Sequence, residues 1–217
     1  MTLINKPNFY GLKRPNHMNL KEFFKYAQNN SLNPQSPYYK GVFYEYIVQN
    51  TLQRYNMDLK HVGGANDHGI DLRGNWYYRG KQTRYQCPVI IQCRNEQKKT
   101  GTQCVREMEG VLSTESNNTL GLISCCGFTQ IAQRQLLKAS KAIAMCVILP
   151  RGNNGYLQQF IWNMKVNELI KGLGVQIRYI EKTDEKSGVG EGPYQELVLT
   201  IDDQIIKQGR NYEEKIS

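Results

Sequence analysis

Several things are scarce in this chain of 217 residues, and each scarcity narrows its class. No apolar run approaches the roughly 20 residues of a membrane helix. The longest apolar stretches, such as Ala144 to Leu149, have the length of a strand, and no membrane span is expected. Six cysteines are present, at 87, 93, 104, 125, 126 and 146, and none forms a CxxC pair. Most lie in apolar, strand-like runs. They read as reduced, buried thiols of an intracellular compartment, not as a disulfide framework or a zinc site. Histidines 17, 61 and 68 are too scattered for a strong metal cluster. No acid precedes Glu22, while Lys6, Lys13, Arg14 and Lys21 are basic. Without a secretory apolar core, such a start is compatible with organelle import, although Pro7 and Pro15 interrupt an amphipathic helix. No internal repeat is visible.

What is present fits a soluble globular fold: 40% hydrophobic and 22% charged residues. The net charge is +9, which favours a polyanionic partner only weakly, because basic enzymes are common. Its distribution says more. Residues 73–106 hold eight basic side chains (Arg73, Arg79, Lys81, Arg84, Arg94, Lys98, Lys99 and Arg106) and one acid, Glu96. That excess suits a phosphate-binding face. A solvated hairpin edge, with lysines blocking aggregation, accounts for the same residues.

The order of elements predicts an α/β fold. Asn19 caps a short helix over 20–27. Tyr38 to Tyr55 is a helix with two candidate apolar faces, one through Val42, Tyr46 and Gln49 and one through Phe43, Ile47, Val48 and Leu52. Strands follow at 57–61, 70–78 and 85–94, the last two joined by a turn at 79–82. A helix begins at Val105, a strand covers 120–127, Thr129 caps a helix over 130–143, and 145–149 is a strand ended by Pro150. The order implies a mixed β-sheet flanked by helices. Spacing of Leu157, Phe160, Ile161 and Met164 predicts a helix over 155–173. Strands at 175–180 and 194–201 flank a charged, Gly-rich loop. The organisation expected is an N-terminal arm, 1–37, a core, 38–150, and a C-terminal extension, 151–217, packing on that core.

Chemistry concentrates in GGANDHGIDLRG, residues 63–74, where Asp67, His68 and Asp71 fall within five positions after two turn-forming glycines. Asp71, between Ile70 and Leu72, faces away from both and needs a cation or a partner there. Capping a turn or pairing with Arg73 would also satisfy it. The strand VIIQCRN, 89–95, ends in Gln92-Cys93-Arg94, with Gln92 and Arg94 on one face and Cys93 on the other. If the two strands pair, Asp71, Gln92 and the Cys93 carbonyl form a hard-oxygen set suited to Mg²⁺, with Arg94 aimed at a bound anion. Glu45, among apolar neighbours on the preceding helix, supplies a further oxygen. His68 could join that site or serve a turn, and Glu107 could complete it or simply favour a helix N-terminus. Trp76, Tyr77, Tyr78 and Tyr85, interleaved with bases, suit nucleic-acid stacking or plain strand packing.

These motifs resemble the PD-(D/E)XK restriction-endonuclease-like superfamily, and its Mrr-like branch in particular. The resemblance rests on GGANDHGIDLRG, IIQCR, the helix VREMEGVL and the run YYKGVFYEYIVQNTL. Within it, the chain is most similar to the fungal mitochondrial "required for respiratory growth" proteins over roughly residues 38–150. The resemblance implies a restriction-endonuclease-like core and metal-dependent phosphodiester hydrolysis of DNA. Asp71 and Gln92 would hold Mg²⁺ (or Mn²⁺), with Glu45 directly or through water, and Gln92 stands where that branch commonly carries Gln. DNA would lie on Arg73, Arg79, Lys81, Arg84, Lys98 and Lys99, with Asp67, His68 and Glu107 in support. A homodimer and a mitochondrial location are compatible with all of this. One departure matters: the family's usual lysine is Arg94, which keeps its charge but cannot give up a proton at working pH. The rival reading is a DNA-binding module on an inactive nuclease scaffold, and a third is an assembly factor without nucleic acid.

Overall fold

The computed structural model describes residues 17–62, 69–79, 84–96, 98–180 and 193–206. Helix α1 (Leu20–Asn29) starts where the Asn19 side chain accepts from the Glu22 amide at 2.9 Å and Glu22 in turn accepts from the Met18 amide at 2.7 Å. This reciprocal arrangement satisfies one donor that the first turn leaves open, the Glu22 amide, and ties down the chain just before the cap. Helix α2 (Pro37–Gln53) has Ser36 as its cap and Pro37 in its first turn, where a missing N–H costs nothing.

Six strands make the main sheet: β1 (Met57–His61), β2 (Leu72–Arg79), β3 (Arg84–Arg94), β4 (Leu120–Cys125), β5 (Ile143–Arg151) and β6 (Asn154–Trp162). They lie in sequence order. β1 pairs antiparallel with β2, and β2 with β3; β3, β4 and β5 are mutually parallel, and β6 returns antiparallel to β5. The two parallel steps need crossovers, supplied by α3 (Gln103–Leu112) and α4 (Gln130–Lys138). The fold is therefore α/β, a mixed sheet flanked by helices. α5 (Met164–Leu169) then leads to a second sheet of β7 (Leu173–Ile180), β8 (Tyr194–Ile201) and β9 (Gln204–Ile205). Among the described residues no helix is long and apolar enough to cross a membrane.

The two faces of the main sheet build separate cores. Leu72, Trp76, Val89, Ile91, Leu122, Ala144 and Ile148 face α2, while Ile90, Ile123, Ile143, Met145 and Val147 face α3 and α4. That alternation is the period-2 pattern of strands covered on both sides. α2 has buried residues on nearly every side (Val42, Tyr44, Tyr46, Ile47, Val48 and Leu52), because α1 and several strands of the main sheet meet it. Both apolar faces seen in its sequence are thus used.

Residues 154–162 are a strand, not the start of a helix. The pairing of β5 with β6 shifts register between Val147 and Ile148: Val147 lies opposite Gln159, and Ile148 opposite Leu157. Gln158 is the extra residue of a bulge. It moves the inward phase by one, so Leu157 and Phe160 are both buried although three apart. A bulged strand thereby imitates helical spacing. Gly155 adds a second reason: a Cβ there would run into Thr51 and Ile47 of α2. β5 also continues through Pro150. Its pairing with β4 ends at Val147, so the missing N–H of Pro150 is not needed on that side.

His17 is 3% exposed and sits on α2. The Tyr46 hydroxyl donates to the His17 carbonyl at 3.0 Å, leaving its oxygen to accept from His17 Nδ1 at 2.6 Å. Burial pushes this imidazole below its ordinary 6.5, and the neighbouring His61 pushes the same way, while Glu45 and Glu22 oppose. A histidine with a depressed folded pKa favours the native state while neutral, above its unfolded pKa. That advantage is lost as pH falls through 6.5 and below. Urea midpoints are therefore expected to drop between pH 7.5 and 5.5, and the drop should shrink in His17→Phe. An equal drop in both proteins would assign it elsewhere.

Candidate functional site

The site lies where β2 begins and β3 ends. Asp71 directly precedes β2, and its backbone is stitched to both neighbours: its N–H donates to the Ile91 carbonyl at 2.9 Å, and its carbonyl accepts from Val62 at 2.8 Å. Its carboxylate Oδ2 accepts from the Cys93 amide at 2.6 Å, a charge-assisted bond of the shorter kind. The anchoring comes from β3, not from Arg73. The Arg73 guanidinium is 2.5 Å from Glu115, beyond α3.

Gln92 is buried on the face toward α3. Its Nε2 lies so close to Gly69 that a Cβ at 69 would come within 2.8 Å, and Gly69 has φ +75°. Only glycine meets both conditions comfortably. Gln92 Oε1 is buried, and among the described residues it accepts no hydrogen bond. Such an oxygen costs roughly 1–3 kcal/mol unless a donor or cation reaches it.

Glu45 stands on the other face, on α2, and its carboxylate meets Nε2 of His61 at the end of β1. His61 Nδ1 is buried without a partner among the described residues, and its ring stacks on Tyr46 at 5.2 Å. The Cys93 thiol is the point on which both carboxylates act. Burial first, then Asp71, then Glu45 raise its pKa well above the ordinary thiol value, so it packs as an apolar group and not as a nucleophile. Tyr44 lies behind it, with its hydroxyl 3.2 Å from Ser124 Oγ and donating to the Ile148 carbonyl at 3.1 Å.

Arg94 follows Gln92 on the α3 face. It is held by Glu107, which also accepts from Gln103 at 2.8 Å, and by Glu96 at 3.5 Å. Glu107 is thus the counter-ion of Arg94. Among the described residues no three His, Cys, Asp or Glu side chains are grouped to hold a metal ion. The donors gathered here are of another kind, an amide oxygen and the carboxylate of Asp71, both hard oxygens that suit a hard cation.

The basic residues divide. Arg79 is exposed at the end of β2, and Lys98 and Lys99 are exposed beyond β3. Arg84 pairs with Arg79 across the hairpin. Arg73 is engaged by Glu115. Asp67, His68 and Lys81 lie outside the described residues. Trp76 and Tyr78 are core, at 0% and 5% exposure, and Trp76 Nε1 donates to the Tyr55 carbonyl at 2.8 Å. Among these aromatics only Tyr85 is exposed, stacked on Tyr78 at 5.2 Å, so stacking on bases by Trp76 and Tyr78 is excluded by their burial. Sequence reasoning missed His61 and His17. Alternation with Met57 and Leu59 on β1 is the signal that places His61 inward.

The family described as "Required for respiratory growth protein 7" matches residues 36–87 and 77–174. The chain belongs to this family. The family match carries Glu45, His61, Asp71, Gln92 and Arg94. An uncharacterized mitochondrial protein of Schizosaccharomyces pombe (strain 972 / ATCC 24843) is 29% identical over 165 residues, which are 75% of this chain. The chain spans 66% of that relative's length. Among solved structures, the MspJI restriction endonuclease in complex with a 27-mer oligonucleotide is similar over 58% of this chain and 29% of its own, with 12% identity and a TM-score of 0.40.

Proposed function

We propose that the chain is a Mg²⁺-dependent DNA endonuclease of the restriction-endonuclease-like type, in its Mrr-like branch, serving DNA maintenance in mitochondria. One observation carries the reading. A carboxylate anchored to the amide of Cys93 stands at the strand end where a buried amide oxygen of Gln92 has no hydrogen-bond partner among the described residues. Asp71, Gln92 and the Cys93 carbonyl would hold the ion, with Glu45 directly or through water. A bound divalent ion supplies a lowered pKa for water and neutralises charge developing on phosphate. The protein's own part is to hold these oxygens rigidly. The amide of Cys93 orients Asp71, Gly69 leaves room for Gln92, and His61 fixes Glu45. Arg94, braced by Glu107, presents a charge to phosphate and takes no proton. The mitochondrial setting follows the respiratory-growth family and the mitochondrial relative.

A second reading has its own observation. Arg94 is already paired with Glu107, which favours a scaffold that binds DNA without cutting it. Plasmid and branched DNA incubated with Mg²⁺ or Mn²⁺ separate the two. Wild type is expected to cut and Asp71→Ala to lose at least about 100-fold in rate, as loss of metal support commonly does. Absent cutting by wild type, with salt-sensitive binding weakened by Lys98→Ala, would replace the nuclease by the binding module, and cutting that needs no metal would remove the ion from the reading.

A further inference from the structure

The edge of a β-sheet is a hazard, because its unpaired N–H and C=O groups are a template for another strand. Among the described residues the two sheets have four edges: β1 and β6 in the main sheet, β7 and β9 in the second. Three of them are protected. β1 is five residues long and exposes Asp58 and Lys60. β6 carries the bulge at Gln158. β9 is two residues long. β7 has none of these devices. It runs for eight residues, contains no proline and pairs with β8 without a register shift. Its one charged side chain, Arg178, is drawn to Glu196 at 3.0 Å.

The side chains along β7 alternate. Val175, Ile177 and Tyr179 share one side and are 38%, 60% and 70% exposed. They extend an apolar row that starts in the core. Val175 lies opposite Leu199 and Ile177 opposite Leu197 on β8, and Leu199 is buried. The backbone has the same phase. The Asp202 amide donates to the Gly172 carbonyl at 2.9 Å, which makes 172 and 202 a hydrogen-bonded pair of the antiparallel ladder. The two-residue period then turns the main-chain groups of Gly174, Gln176 and Arg178 toward β8. It turns those of Val175, Ile177 and Tyr179 toward the open edge. The residues with exposed apolar side chains are therefore also those that offer N–H and C=O groups to a further strand.

A second copy of the same strand fits this edge. Antiparallel pairing about a two-fold axis at Ile177 sets Ile177 against Ile177 of the second copy, Val175 against its Tyr179, and Gln176 against its Arg178. Each outward pair exchanges two main-chain hydrogen bonds. Apolar side chains meet apolar ones, and no like charges stand directly opposite. An axis at Arg178 would oppose that arginine to itself. A slip of one residue would set the apolar row beside Gln176 and Arg178. We infer that the β7 edge is the interface of a homodimer, in which the two three-stranded sheets join into one of six strands. β7 lies outside the candidate site, so this interface stands or falls apart from the cleavage chemistry.

Sedimentation velocity and light scattering on the full chain, without DNA or divalent ions, read the mass. Wild type is expected to be a dimer at micromolar concentration. Ile177→Lys sets two ammonium groups against each other and is expected to weaken association at least about 100-fold. Ile177→Pro removes an N–H that points away from β8, so it spares the β7–β8 ladder. It is expected to be a monomer with the circular dichroism of the native fold. Ile177→Cys is made together with Cys126→Ser, which removes the exposed thiol. It is expected to give a disulfide-linked dimer on mild oxidation, because opposed residues of a bonded pair have Cα atoms about 5.5 Å apart. Gln176→Cys in the same background should not, since its own counterpart lies on the diagonal, at about 7–8 Å. A wild type that stays monomeric at about 100 µM, far above the Kd of a standard interface, overturns the inference and leaves the edge to a strand of another protein. So does a dimer that persists in Ile177→Lys and Ile177→Pro, or one cross-linked equally through positions 176 and 177. Wild-type assemblies larger than two also overturn it, because a two-fold interface closes on itself.

Discussion

Gly74→Ala is expected to yield little folded protein. Gly74 sits mid-strand in β2, opposite Leu59 on one side and Val89 on the other. A Cβ there would land on the carbonyl oxygen of Asp58, 2.8 Å from that carbonyl's carbon and 3.0 Å from Leu59 Cα. These are backbone atoms, so no side chain can swing aside. β1 itself is held from behind, with Met57 and Leu59 in the core under α2 and the Leu59 carbonyl accepting from Gln49 Nε2 at 2.8 Å. Overpacking in a core costs about 1–3 kcal/mol when side chains can relax, and more is expected where they cannot. Against a total of roughly 5–15 kcal/mol, a loss near the upper figure lowers the melting temperature by about 10 °C. Gly110→Ala is the control. It lies on α3 with nothing within 4 Å of the new Cβ, and a helix gains about 0.5–1 kcal/mol from that change. Thermal melting reads both. Unchanged melting in Gly74→Ala would show that β1 can move away from β2.

Gln92→Leu is expected to separate stability from function. The amide oxygen is buried and has no partner among the described residues, so an apolar side chain of similar size removes a desolvation cost of roughly 1–3 kcal/mol. Some of that gain is offset by the new branch near Gly69, whose backbone approaches the amide nitrogen. A net increase of about 1 kcal/mol is expected in urea unfolding. If the oxygen serves a cation, the same change lowers metal-dependent cutting by at least about 100-fold and weakens Mn²⁺ binding measured by electron paramagnetic resonance. A variant that is more stable and still cuts at the wild-type rate would remove Gln92 from the site. One that loses stability would show that the amide has a structural role.

Much of the fold was legible in residue order. The caps Asn19 and Thr129 each mark a helix start, and both side chains bond the first turn as expected. Strict alternation in Met57 to His61 and the unbroken apolar run of β4 identify one strand at an edge and one in the centre. Such signals are local, because a cap needs only the next three residues and a strand only its own period. The stretch 154–162 carries helical spacing in a strand because its inward phase depends on Val147 and Ile148, residues on another strand, where the register shifts.

The same distinction holds at the candidate site. The sequence by itself determined which oxygens are available, Glu45, Asp71 and Gln92, and that an arginine stands two residues beyond Gln92. The tertiary structure decided their partners. Asp71 binds the Cys93 amide and not Arg73, Glu45 binds His61, and Arg94 is taken by Glu107. These pairs are 22, 16 and 13 residues apart. Only the register between strands and the seating of α2 and α3 bring them together, because a side chain's charge is written in the chain while its counter-charge depends on what packs against it.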